Sequence, residues 1–96
     1  MRTYEATIMH GRRSTEGHYD FEGPDNLFAQ TPVRIMRTFM AAIEEQSSIG
    51  HIEYEINAAM KHATKPIVTV LGEFHFNSDD SQPFTCMIND VDAAND

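Results

Sequence analysis

The chain carries a single cysteine, Cys86, so no internal disulfide forms, and the compartment this implies is the reducing cytoplasm. No stretch reaches the roughly 18 consecutive apolar residues that a membrane-spanning helix needs. The opening residues Met1-Arg2-Thr3-Tyr4-Glu5 lack the basic and apolar regions of a secretory signal. Base is scarce too. Residues 1–65 hold all seven lysines and arginines beside nine acids, whereas residues 66–96 hold six acids and no base. The net charge is −8. Phosphate binding needs a basic footprint, so neither nucleic acid nor an anionic membrane surface is an expected partner. A surplus of acid is compatible with a metal cation, a basic partner or plain solubility.

What is present is one ordinary globular domain of 96 residues, with 41% hydrophobic and 23% charged residues. A chain this short buries about two-thirds of its extended surface, so its core is thin. The domain is expected over residues 1–92, with residues 93–96 as a frayed acidic tail.

Alternation predicts strands over 3–10 and 17–22, with Ala6 opposite Phe21 and Ile8 opposite Tyr19 across a hairpin. Thr31-Pro32 reads as a helix start, Thr as N-cap and Pro at the first helical position. Ile35, Met36, Phe39, Met40, Ala42 and Ile43 then draw a broad apolar stripe at helical spacing. Ser47-Ser48-Ile49-Gly50 closes it, with Gly50 suited to a left-handed cap, and Leu27-Phe28 suggests a short helical turn beforehand. Strands follow over 51–61, 67–76 and 83–91, with 77–82 as a polar hairpin loop. The order is ββαβββ: a single α+β domain, a mostly antiparallel five-stranded sheet packed on one main helix.

Sidedness follows from parity. Pairing Ile52/Phe76, Tyr54/Phe74, Ile56/Gly72, Ala58/Val70 and Met60/Val68 gathers the apolar even positions on one face. Phe74/Phe84, Gly72/Cys86 and Val70/Ile88 extend that face, with Gly72 making room for a bulky neighbour or marking a bulge. The opposite face is not cleanly polar: Ile67, Leu71 and Met87 lie there, with Thr69, Thr85 and Ala59 among them. One helix cannot cover them, so self-association through Ile67, Thr69, Leu71 and Met87 is expected.

The same register sets His51, Glu53, Glu55, Glu73 and His75 on the outer face, with Glu55 opposite Glu73 and Glu53 opposite His75. Opposed carboxylates repel, and a divalent cation relieves them; imidazole with carboxylate suits zinc, manganese or iron. A solvated polar end of the sheet explains the same residues. His18, Asp20 and Glu22 repeat the pattern and extend the cluster if their strand lies alongside. Arg34 and Arg37 share a helix face, and with Arg12 and Arg13 they outline a candidate anion site near the helix N-terminus.

Catalytic patterns fail. Cys86 alternates with Phe84 and Ile88, which makes it a core thiol and not a nucleophile. Residues 11–17 lack the spacing of a phosphate loop, and His51-Ile52-Glu53 lacks the paired cysteines of a zinc deaminase. The element order is similar to that of hot-dog and dodecin-type folds in topology alone, which carries no function. The expectation is therefore a small non-catalytic cytoplasmic binding protein, a homo-oligomer that takes a small ligand or protein partner at its sheet face or subunit interface. The alternative is a metal-binding protein, or a metalloenzyme, built on the His/Glu cluster. A small acyl or aromatic ligand held between subunits is a further alternative.

Overall fold

The computed structural model describes residues 1–11, 15–46, 50–77 and 79–91. Strands β1 (Arg2–His10) and β2 (Thr15–Gly23) precede a single 3-10 turn at Leu27–Ala29 and helix α1 (Pro32–Gln46). Strands β3 (Glu53–Lys61), β4 (Ile67–Asn77) and β5 (Asp80–Asp90) complete the chain. The expected ββαβββ order and five-stranded sheet are what the protein adopts. The sheet runs β2-β1-β5-β4-β3 with every neighbouring pair antiparallel, so the first and last strands meet at its centre.

Local chemistry places the helix where the sequence does. Thr31 Oγ1 accepts the amide hydrogen of Arg34 at 3.3 Å, a side-chain cap on one of the first-turn donors. Ile35, Met36, Phe39, Met40 and Ile43 are the buried stripe. Gly50 holds φ at +82°, the left-handed conformation read for it, while Ser47, Ser48 and Ile49 lie outside the described residues. The helix packs on the sheet face formed by Tyr4, Ala6, Ile8, Val68, Val70, Phe74, Phe84, Cys86 and Ile88.

Register departs from expectation in three places. In the first hairpin Tyr4 faces Phe21 and Ala6 faces Tyr19, two residues from the expected match. Between β4 and β5, Gly72 faces Phe84 and Val70 faces Cys86, again a slip of two. Both slips preserve faces, because parity is set by burial while the offset is set by turn length. The loop expected over 77–82 is shorter: Ser81 pairs with His75 and Gln82 with Phe74 inside the ladder.

The third departure changes a face. Ile56 pairs with Gly72 as expected, but Ala58 then pairs with Leu71 and Met60 with Thr69, so Asn57 is an extra residue. Ala58 and Met60 therefore turn outward, and Met60 is 56% exposed where a core position was expected. Ala59, expected on the outer face, turns inward and takes their place against Val70. The cause lies at Gly72, which allows the Glu55 carbonyl oxygen to lie 2.0 Å from where a Cβ would stand.

Length explains a second exposed pair. A helix of 15 residues reaches about 22 Å, whereas a strand of 11 residues reaches about 36 Å. The helix cannot cover the whole sheet, and Tyr19 and Phe76, both read as core-face residues, stand 38% and 45% exposed at the uncovered end.

Candidate functional site

The outer face of the sheet can be laid out in cross-strand rows. Glu5, Asn89 and Ile67 form one; Thr7, Met87, Thr69 and Met60 the next; Met9, Thr85, Leu71 and Ala58 the one after. Pro83, Glu73 and Glu55 follow, then Ser81, His75 and Glu53. Met87, Met60, Met9, Leu71 and Ala58, interspersed with three threonines, thus make the middle of the face across β1, β5, β4 and β3 largely apolar, and a His/Glu cluster sits at one end. The expected interface residues Ile67, Thr69, Leu71 and Met87 all belong to this band. Leu71 and Met87 are exposed, while Ile67 and Thr69 are half-buried. Met9, Met60 and Ala58 join them. Met60 and Ala58 were missed because alternation without a bulge assigns them to the core.

The expected pairs Glu55/Glu73 and Glu53/His75 are present. One ligand atom from each of Glu55, Glu73 and His75 comes within 4.8 Å of the others. His75 Nδ1 lies 2.8 Å from Ser81 Oγ, which orients the ring, and its Nε2 stands 3.8 Å from Glu55 Oε2. With Nδ1–H donating to the serine, Nε2 keeps a lone pair for a cation. Two expected members stand apart. His51 is drawn to the helix, its Nδ1 2.9 Å from Glu44 Oε1, and the Ile52 amide donates to the same oxygen. Glu53 is exposed opposite His75 but is not in the three-residue set. His18, Asp20 and Glu22 do not extend the cluster, because β2 and β3 are opposite edges of the sheet. His18 instead pairs with Glu16 at 3.2 Å and reaches Thr7 Oγ1.

Of the arginines, Arg12 and Arg13 lie outside the described residues. Arg34 and Arg37 are exposed on α1. Arg37 lies close enough to Tyr54 to lower its phenol pKa, against burial, which raises it more. Cys86 is fully buried, and desolvation pushes its thiol up to about 12, as befits a core thiol.

A second hollow was not foreseen. Between the carboxyl-terminal half of α1 and the uncovered end of the sheet lies a cleft of about 290 Å³. Ile8, Phe39, Met40 and Phe74 form its walls, Tyr19 and Phe76 its rim, and His10 one polar side. The signal for it was the mismatch between helix and strand lengths, visible only once the strands' full extents are known.

Among the described residues no helix is long and apolar enough to cross a membrane. Compared with protein-family models, curated proteins and solved structures, the chain matches none, so its function is argued from its own residues.

Proposed function

We propose that this chain is a small binding protein that acts as a homo-oligomer, two copies meeting across the outer face of the sheet. The observation that carries the reading is the apolar band. Leu71 at 42%, Met87 at 41%, Met9 at 42% and Met60 at 56% exposure adjoin one another on neighbouring strands. Burying such a side chain is worth about 1.5–3 kcal/mol when complete, and the helix is already committed to the other face. Two rows across four strands, with Ile67 beside them, make a footprint of about 250–300 Å² per copy. That is less than half of the roughly 800 Å² per partner of a standard interface, so the association is a weak, reversible one. A cytoplasmic setting goes with this reading, since the single cysteine, Cys86, is free and buried.

Sedimentation over a range of concentrations tests it. The native chain should rise above 10.9 kDa as concentration rises into the hundreds of micromolar, and Leu71→Asp should remain a folded monomer. A native chain that stays at 10.9 kDa throughout refutes the proposal.

A second reading is favoured by one specific observation, the convergence of Glu55, Glu73 and His75 within 4.8 Å. It makes the chain a binder of zinc, manganese or iron through two carboxylates and an imidazole, with the remaining positions open to water or a further ligand.

A further inference from the structure

We infer that the cleft between α1 and the uncovered end of the sheet binds a small neutral bicyclic aromatic molecule carrying a hydrogen-bond donor, of the naphthol or indole class. The cleft lies on the opposite face from the apolar band, so this inference stands independently of self-association.

Size sets the first limit. A cavity of roughly 150 Å³ holds benzene, and ligand sites begin near 300 Å³, so about 290 Å³ admits two fused rings and little more. Wall chemistry sets the second. Phe39, Phe74, Tyr19 and Phe76 offer aromatic surface to the cleft, with Tyr19 and Phe76 left half in water at its mouth. Aromatic rings pack there by offset or edge-on contact, and a bound ring takes the exposed part of both rim residues out of water.

Polar chemistry sets the third. His10 Nδ1 lies 3.1 Å from Gln82 Oε1, and the ring stands edge-on to Phe74 with centroids 6.0 Å apart. With Nδ1–H donating to the glutamine oxygen, Nε2 of the neutral imidazole is an acceptor, and the ligand must supply the donor. The remaining polar side chains of the lining are the Tyr19 hydroxyl and Glu16, whose carboxylate stands at the mouth beside His18; among the described residues no lysine or arginine lines the cleft. An anionic ligand meets the Glu16 carboxylate and no countercharge among the described residues, which disfavours it.

The chain has no tryptophan, so the fluorescence of an added 2-naphthol is read directly against it. At neutral pH one 2-naphthol should bind per chain. Naphthalene, lacking the donor, should bind about two- to tenfold more weakly, the worth of one neutral hydrogen bond. 2-Naphthoate should bind at least about tenfold more weakly than 2-naphthol. Ile52→Phe, which pushes a ring into the cleft from its border, should remove binding, and His10→Phe should erase the preference for 2-naphthol over naphthalene. Amide shifts on titration should centre on Ile8 and Ile43, and Leu71→Asp should bind unchanged. The inference is overturned by non-saturable 2-naphthol binding, by equal affinity for the three probes, or by shifts centred on Leu71 and Met87. The wild-type comparison of probes decides the matter even where a variant fails to fold.

Discussion

Replacing Gly72 by alanine isolates the bulge that turns Met60 outward. The new Cβ would stand 2.0 Å from the Glu55 carbonyl oxygen and 2.8 Å from the Phe84 ring. Ordinary contact begins at 3.4 Å, so β3 must retreat by about 1.4 Å, the difference of the two figures. A backbone hydrogen bond near 2.9 Å does not survive such a retreat, since bonds beyond roughly 3.5 Å are lost. The ladder from Glu53/His75 to Ile56/Gly72 then opens, and the stacked Phe74–Phe84 pair, with centroids 4.3 Å apart, is pushed from the other side. Overpacking of this kind costs about 1–3 kcal/mol, and each lost backbone bond adds about 1 kcal/mol. A total of about 3–5 kcal/mol consumes much of the stability of a domain this small. In urea titration the midpoint should fall accordingly, and the melting temperature should drop by at least about 12 °C, at roughly 4 °C or more per kcal/mol. Gly17→Ala is the control: its Cβ meets the exposed end of the Tyr19 ring at 3.0–3.1 Å, which can swing aside, so the cost should stay below about 1 kcal/mol. A Gly72→Ala chain within 1 kcal/mol of wild type, with β3 amides still protected from exchange, refutes the account of the bulge.

Two further outcomes are expected. Cys86 carries a folded pKa of about 12 against 9.0 unperturbed, so its contribution to stability is complete below pH 9 and is lost as pH rises toward 12. Urea titrations should show stability falling by up to about 1.4 kcal/mol per pH unit in that window from this group, with a shallower fall in Cys86→Ala. Tyr4, raised by burial and then by Asp90, steepens the loss above pH 10 in both chains. An identical slope for the two proteins refutes the assignment. If Glu55, Glu73 and His75 hold a cation, zinc at a hundred times its dissociation constant should add about 2.7 kcal/mol of stability. Glu73→Gln should abolish that gain at little cost without metal, since it also removes a repulsion from Glu55; no response of the native chain to millimolar zinc, manganese or iron rejects the site.

Most of the cluster was legible because Glu55/Glu73 and Glu53/His75 lie on the unbulged side of Gly72, where simple alternation holds. His51 was misplaced because it precedes the first residue of β3 and finds an acceptor, Glu44, on an element that strand pairing cannot foresee. The His18, Asp20 and Glu22 stripe has the right spacing on the wrong edge. Nothing in a local pattern states that β5 returns to pair with β1 and leaves β2 and β3 at opposite edges.

Residue order alone determined what depends on neighbours along the chain: the Thr31-Pro32 helix start, the apolar stripe of α1, the ββαβββ order and the inward parity of Phe84, Cys86 and Ile88. Those features follow from periodicity and from groups that satisfy their own backbone. Tertiary structure decided what depends on contacts between distant segments. It set strand order, the two-residue offsets of the hairpins, and the bulge opposite Gly72 that moves Ala58 and Met60 into the outer band. It also opened the cleft beneath Tyr19 and Phe76, because how far a helix reaches along a sheet depends on where the two are packed, not on the pattern of either.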